Sequence, residues 1–183
     1  MIEWIIGGIA VVAVIIIFSY FNRFATLGNR IDNSLSQIDV QLKRRADLIP
    51  NLIETVKGFT KHEKGIIKEV TDARKALVSA KGIVDKVKAN DKLESALKTI
   101  FALAENYPNI KANENFLELQ RELSTTEDKI AYSRQYYNDS ILSYNTLCTT
   151  MPGMFFAGLF GKKKREYLQI TEEEKKNVKV KFD

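Results

Sequence analysis

The sequence predicts an all-α protein in which an N-terminal transmembrane helix is followed by an antiparallel up-and-down four-helix bundle and a charged C-terminal tail. Three observations lead to this prediction. An uncharged apolar run occupies residues 4–21 of the 183-residue chain. Apolar residues then recur at heptad spacing in several segments, which is typical of helices that pack along one face. Roughly the next 150 residues contain no sustained alternation of apolar and polar side chains, which a half-buried strand would require.

Composition narrows the possible function classes. The chain has 28 Lys plus Arg, 23 Asp plus Glu, nine Gly, three Pro, one His and one Cys. So few Gly and Pro disfavour a loop-rich β-sandwich or a Gly-rich nucleotide-binding fold. A single Cys excludes an intramolecular disulfide framework and a Cys-based metal cage, and a single His excludes a His-rich metal site. We therefore expect no cofactor and no metal.

The apolar run is predicted to be a retained transmembrane helix bounded by Trp4 and Phe21. Its 18 residues contain no charge and no Pro, and as a helix they span roughly 27 Å, close to the hydrocarbon thickness of a bilayer. A cleaved signal peptide would need basic residues before the run and a small-x-small site after it. Instead Glu3 precedes the run, and Asn22 and Arg23 follow it. A buried core helix would carry a polar stripe, which this run lacks.

Basic residues are distributed unequally about the run. Residues 1–3 contain no Lys or Arg, whereas residues 22–45 contain five. The positive-inside rule therefore places the N-terminus outside and the rest of the chain in the cytoplasm. Five segments are predicted: an extracytoplasmic N-terminus (1–3), the transmembrane helix (4–21), a cytoplasmic bundle (22–151), an apolar-basic segment (152–165) and a charged tail (166–183).

Local signals divide the bundle into four helices. The first carries apolar residues at heptad spacing up to Val56, and Pro50 within it predicts a kink because proline removes one backbone hydrogen bond. The other boundaries follow from caps and breakers: Gly58 ends the first helix, a capping box at residues 60–63 opens the second, residues 90–94 open the third, and residues 107–109 open the fourth, which runs to about Met151. Short connections of this kind favour an antiparallel bundle.

Three charged residues interrupt the predicted core faces. If the far ends of the first and last helices align, Arg45 lies level with Glu127 and, one heptad later, with Arg134. We predict a buried and fully paired cluster, because an unpaired buried charge costs several kcal/mol. Two alternatives remain: long side chains that reach water at a helix–helix edge, and a binding site for a polar ligand.

No catalytic constellation is evident. His62 lies in the predicted capping box between charged neighbours, and Cys148 occupies a core-face position that suits a buried apolar role. The chain contains none of the GxxxxGK[ST], GxGxxG, HExxH and CxxC motifs. We therefore expect a protein that is not an enzyme.

The apolar-basic segment has two compatible interpretations. It is too short to span a bilayer. It follows the fourth helix, which in an up-and-down bundle ends on the membrane side, so we expect the segment to lie near the membrane. It can insert at the lipid surface and attract anionic headgroups, or its apolar residues can cap the open end of the bundle. The residues concerned are Phe155, Phe156, Leu159, Phe160, Lys162, Lys163, Lys164 and Arg165.

The last residues are highly charged. Val178, Val180 and Phe182 alternate with lysines, so this stretch could add as a strand to the edge of another chain. A flexible tail is the other expectation. Nucleic-acid binding is not expected, because the basic residues are interspersed with acids and form no stripe.

Several segments resemble the LemA family of bacterial membrane proteins. The resemblance covers the chain from the anchor to Tyr167 and rests on residues 29–33, 37–52, 54–58, 107–108, 111–113, Phe116, 137–138 and 144–145. It implies a single-pass anchor in the bacterial cell membrane, an outside N-terminus, a cytoplasmic antiparallel helical bundle and no established enzymatic activity. Met151 and Lys162 depart from the family pattern, which usually has an aromatic residue at each position.

From these observations we expect a non-enzymatic scaffold or partner-binding module on the cytoplasmic face of the membrane. Its expected partners are the lipid bilayer, anionic lipid headgroups, other proteins and a second copy of itself in a homo-oligomer. The alternative is a membrane-remodelling or lipid-surface-sensing protein that uses the anchor and the apolar-basic segment as two attachment points.

Overall fold

The computed structural model describes residues 1–59 and 63–168, and every element in them is a helix. The six helices are α1 (Ile2–Lys57), α2 (Lys64–Ser79), α3 (Ile83–Glu105), α4 (Pro108–Lys111), α5 (Glu114–Thr149) and α6 (Gly153–Leu159). The predicted all-α class is confirmed for this part of the chain. Residues 60–62 of the predicted capping box and the tail beyond residue 168 lie outside the described residues. The last residue of that box, Glu63, directly precedes α2 as its N-cap and makes no side-chain capping bond.

The described chain divides into two compact units. Unit 1 contains residues 1–36 and 133–168, and unit 2 contains residues 37–132. The long helices α1 and α5 each contribute to both units, whereas α2, α3 and α4 belong to unit 2 and α6 belongs to unit 1.

Helix α1 runs without a break from the apolar run into unit 2. It ends at Lys57, so the predicted end at Gly58 is confirmed. Pro50 lies inside the helix and cannot donate the bond that the Ala46 carbonyl would accept. Arg74 of α2 replaces that donor, since its Nε donates to the Ala46 carbonyl oxygen at 2.8 Å.

The predicted start of the third helix is wrong. Helix α3 begins at Ile83, after Gly82 in the left-handed region at φ 82°. Asn90 was expected to cap a helix but lies buried inside α3, where its Oδ1 accepts a hydrogen bond from Arg45 at 2.9 Å. The tertiary partner therefore outweighs the preference of asparagine for helix ends.

The predicted start of the last long helix is also wrong. Residues 108–111 form the separate short helix α4, and α5 begins at Glu114. Asn113 caps α5, because its Oδ1 accepts a hydrogen bond from the Phe116 backbone N–H at 3.0 Å. The end of α5 at Thr149 lies two residues before the predicted position.

The core of unit 2 is built from the predicted heptad positions. Ring centroids of Phe101 and Phe116 lie 6.1 Å apart in an edge-to-face contact. The predicted positions that are buried and apolar are Ile38, Leu42, Ile49, Leu52, Val56, Val70, Leu77, Leu93, Leu97, Ile100, Ala104, Phe116, Leu123 and Ile130. Ile110 of α4 is buried as well, although no heptad pattern predicted it. Burial of such side chains contributes about 1.5–3 kcal/mol each and is the main force that holds these helices together.

In unit 1, the turn between α5 and α6 depends on a glycine. A Cβ added at Gly153 would lie 2.3 Å from the Leu147 carbonyl oxygen, a backbone atom that cannot easily move. The chain can therefore fold back from α5 into α6 only if position 153 has no side chain.

Replacement of Gly153 by alanine should destabilise unit 1. We expect a loss of about 1–3 kcal/mol, since the new methyl group forces the backbone apart. Thermal unfolding of the full-length protein in detergent measures the effect. Gly158→Ala in the same helix is the matched control, because nothing lies within 4 Å of its added Cβ. Equal stability of the two variants would contradict this account of the turn.

Candidate functional site

Three consecutive residues of α1 make polar contacts to the three other helices that build most of unit 2. Arg44 Nη2 lies 2.5 Å from Glu122 Oε2 of α5. Arg45 forms an ion pair with Glu127 of α5 and donates to Asn90 of α3. The Ala46 carbonyl accepts from Arg74 of α2. We call Arg44, Arg45, Ala46 and these partners the polar layer.

The inner and outer contacts of the polar layer differ in exposure. The Arg45 side chain is only 3% exposed, whereas the Arg44 side chain is 48% exposed. Glu127 and Asn90 therefore supply polar contacts in place of the water that the buried Arg45 guanidinium has lost. Its Nε is buried without a hydrogen-bond partner in the described part of the chain. A cavity of about 260 Å³ opens beside Arg45 and Glu127 and is large enough to hold water.

The third member of the predicted cluster is placed differently. Arg134 belongs to unit 1, where it is half-buried. Arg45 and Glu127 lie in unit 2 and pair with each other. The membership of Arg134 in the cluster stays a prediction.

Glu127 is electrostatically perturbed. Burial raises the pKa of Glu127, the nearby Glu94 carboxylate raises this pKa further, and the Arg45 guanidinium opposes both effects. Glu94 also pairs with Lys98 at 2.5 Å. The polar layer therefore contains a carboxyl group that protonates more readily in the folded protein than in the unfolded chain.

Unit 1 contains an aromatic cluster in which α1, α5 and α6 meet. Tyr20 stacks on Phe156 with ring centroids 4.5 Å apart, and Phe24 makes edge contacts with Tyr144 at 5.8 Å and with Phe160 at 6.2 Å. Phe156 is buried in this cluster, whereas Phe155 and Leu159 on the same helix are 65% and 60% exposed. Helix α6 therefore packs one face on the cluster and exposes the other.

The basic residues after α6 are held unequally. Lys162, Lys163 and Lys164 are exposed. Arg165 is held in place, since its guanidinium lies 3.3 Å from Asp32 and its Cζ lies 5.3 Å from the centre of the Tyr144 ring. The first three residues therefore form the exposed part of the predicted basic run.

Two asparagines hold the chain after α6 along α5. Asn145 accepts from the Arg165 backbone N–H at 2.8 Å and donates to its carbonyl at 2.9 Å. Asn138 makes the same pair of bonds with Leu168 at 2.9 and 3.0 Å. Seven residues of helix and three residues of extended chain both span about 10 Å, so the two pairs are in register. Sequence reasoning did not assign this role, although the Tyr-Asn pair repeats at heptad spacing at residues 137–138 and 144–145.

The remaining predicted residues lie as follows. Trp4 is 86% exposed, and Phe21 is 50% exposed and meets Phe160 edge-on at 5.5 Å. Helix α1 contains a stretch near its N-terminus that is long and apolar enough to cross a membrane, and none of it is buried.

Burial raises the pKa of the Cys148 thiol, against the opposing charge of Lys164, so this thiol is a poor nucleophile. No group of His, Cys, Asp and Glu within the described residues could hold a metal ion.

Removal of the Glu127 carboxylate should strand Arg45. We expect Glu127→Ala to lower the free energy of unfolding by about 3–5 kcal/mol, because a buried charge loses its partner. The matched control is Glu122→Ala, which removes the partner of Arg44, a side chain that is 48% exposed, and should cost at most about 1 kcal/mol. Chemical denaturation of the full-length protein measures both. If the two variants lost equal unfolding free energy, the burial of Arg45 would not be what makes its ion pair important.

The raised pKa of Glu127 also predicts a pH dependence. At pH values between the ordinary carboxyl pKa and the raised pKa of Glu127, the folded protein keeps a proton on Glu127 that the unfolded chain has released. The stabilisation that comes from this bound proton is therefore present at low pH and is lost as the pH rises through the raised pKa. As the pH rises across this window, the unfolding free energy of the wild type should fall relative to that of Glu127→Gln, which has no carboxyl group to titrate. A difference that is constant or moves the other way would contradict the direction of the pKa.

Comparison with known proteins places these features in a family. The model of the LemA family matches residues 34–182, so the apolar part of α1 lies outside the matched region. The magnetosome protein MamQ of Magnetospirillum gryphiswaldense is 25% identical over 173 residues, which cover 80% of this chain and 64% of that protein. MamQ 1 of Paramagnetospirillum magneticum is 26% identical over 175 residues, with 81% and 64% covered.

A further relative carries the family name. Protein LemA of Metamycoplasma hominis is 27% identical over 121 residues, which cover 64% of this chain and 54% of that protein. The chain thus spans about two thirds or less of the length of these curated relatives. Because the family model covers well over half of the chain, the protein belongs to the LemA family.

Proposed function

We propose that this protein is a single-pass membrane protein whose cytoplasmic helices act as a non-enzymatic scaffold for other proteins. The observation that carries the proposal is the apolar stretch of α1, none of which is buried. Ile5, Ile9 and Phe18 within it are each more than 60% exposed. An apolar surface of this extent is stable only against lipid or another protein.

Helix α1 supports the proposal because it contains both the predicted anchor and residues of unit 2. It is one helix from Ile2 to Lys57, and the polar layer ties its residues 44–46 to α2, α3 and α5. A partner bound to unit 2 would thus be attached to the membrane through the same polypeptide chain. The excess of Lys and Arg at residues 22–45 supports the cytoplasmic orientation.

We propose that the helices of unit 2 form an up-and-down four-helix bundle. The register of α1 and α3 supports it. Lys86 Nζ lies 2.8 Å from Asp39 Oδ1, and four residues later Asn90 meets Arg45. Residue numbers that increase together mean that α1 and α3 run parallel, as the first and third helices of such a bundle must.

Several features of unit 2 favour binding of proteins over catalysis. The surface carries charged pairs such as Lys43–Asp47 and Arg121–Glu118, and it also exposes the large apolar side chains of Val40 and Tyr132. The MamQ relatives are named as magnetosome proteins, a description that refers to a cellular structure and to no reaction. Anchored copies also meet at high effective concentration in a plane, which favours homo-oligomers.

A lipid-surface role is the second candidate, because α6 exposes Phe155 and Leu159 and is followed by three exposed lysines. These side chains can enter the interface while Phe156 stays in the aromatic cluster. An apolar face followed by basic residues is the usual composition of an interfacial anchor.

Photo-crosslinking in cells tests the scaffold proposal. A photoreactive amino acid at Tyr132, which is 68% exposed, should give discrete adducts with other proteins, with a second copy of the chain, or with both. The matched control places it at Leu123, which is 2% exposed on the same helix, and should give none. Adducts with lipid alone at exposed sites of both units would favour the lipid-surface role instead.

A further inference from the structure

An open groove runs between α1 and α5 in unit 1, apart from the apolar-basic surface of α6. Its volume is about 690 Å³, and twelve residues line it. They include two arginines, Arg23 and Arg30, and no acidic residue. The groove begins at Tyr20, in the last turn of the apolar run, and continues away from it along α1.

The two arginines carry positive charge that the described part of the chain does not neutralise. Seven residues separate Arg23 from Arg30, so both lie on one face of α1 about 10 Å apart. Both are exposed, and neither guanidinium makes an ion pair or hydrogen bond among the described residues. Arg165 in the same unit differs from them, because it already pairs with Asp32 and lies over the Tyr144 ring.

The rest of the groove is half polar and half apolar. The hydroxyls of Thr26 and Thr146 line it and make no hydrogen bond within residues 1–59 and 63–168, so they can donate to a ligand. Leu142 and Met151 add an exposed apolar wall, 54% and 72% exposed. Such a lining fits a molecule that has an anionic group at one end and hydrocarbon at the other.

We propose that this groove binds the phosphate of an anionic glycerophospholipid, with the acyl chains passing Met151 towards the membrane. Guanidinium groups donate to phosphate oxygens in a fork that matches their geometry. The two threonine hydroxyls complete the donor set. The site would hold one lipid per chain, unlike the diffuse attraction of Lys162–Lys164 to a charged surface.

The depth of the groove agrees with this ligand. The proposal rests on the proposed membrane anchor, which ends at Phe21. Arg23 then lies about 3 Å beyond the hydrocarbon, at the level of the headgroups. Arg30 lies about two turns further, and helical side chains lean back towards the N-terminus, which directs its guanidinium towards the same layer.

Native mass spectrometry of the full-length protein in detergent tests the site. With added phosphatidylglycerol we expect one retained lipid per chain, and with added phosphatidylcholine markedly less. The double variant Arg23→Gln/Arg30→Gln should bind phosphatidylglycerol roughly 30-fold more weakly, from about 1 kcal/mol for each basic residue. Both side chains are exposed, so thermal unfolding should be unchanged.

The matched control is Lys162→Gln/Lys163→Gln, which removes the same charge from the apolar-basic segment and should leave the retained lipid unchanged. Equal loss in both double variants would overturn the proposal and indicate binding by net charge. Displacement of the lipid by an equal concentration of inorganic phosphate would also overturn it, since the site would then bind the free anion. Recovery of the wild type in the soluble fraction of cells would refute the membrane anchor separately, because lipid binding is measured in detergent.

Discussion

The polar layer is the constraint on which the rest of unit 2 depends. Residues 44–46 of α1 contact one helix each, or two in the case of Arg45, and so fix the positions of α2, α3 and α5 along α1. Apolar heptad contacts hold helices together but specify their axial register weakly, because similar apolar side chains recur at every heptad. A buried guanidinium cannot slide away from Glu127 and Asn90 without a large cost. We infer that hydrophobic burial supplies most of the stability, and that the polar layer selects the register.

Pro50 is part of the same constraint. Proline in a helix leaves the carbonyl four residues earlier without its donor, and that carbonyl belongs to Ala46, next to Arg45. The sequence predicted a kink there. In the structure α2 supplies Arg74 as the missing donor. The free carbonyl could be predicted from the sequence, because it follows from the position of Pro50 alone. Its partner could not, because Arg74 approaches Ala46 only once α2 has packed against α1.

The successes and errors of prediction follow the same division between local and tertiary causes. Heptad spacing and the apolar run depend on the chain itself, and they predicted the helical class and the buried face of α1. The starts of α3 and α5 were mispredicted, because Asn90 and Pro108 are strong local signals for a helix start. Asn90 is used instead by Arg45, and Asn113 provides the better cap for α5. The Asn138 and Asn145 contacts require α6 to turn the chain back along α5, which no local pattern reveals.

In unit 1, side-chain size across the α1–α5 pair explains both the aromatic cluster and the open groove. Phe24 and Tyr144 meet edge-on with centroids 5.8 Å apart, so large rings fill the space between α1 and α5 there. The groove is lined instead by shorter side chains such as those of Thr26 and Thr146. Gly153 adds nothing to fill it, because a side chain there would strike the Leu147 carbonyl. The groove therefore stays open where small side chains line it, and a ligand in it would complete the packing of unit 1 next to the anchor.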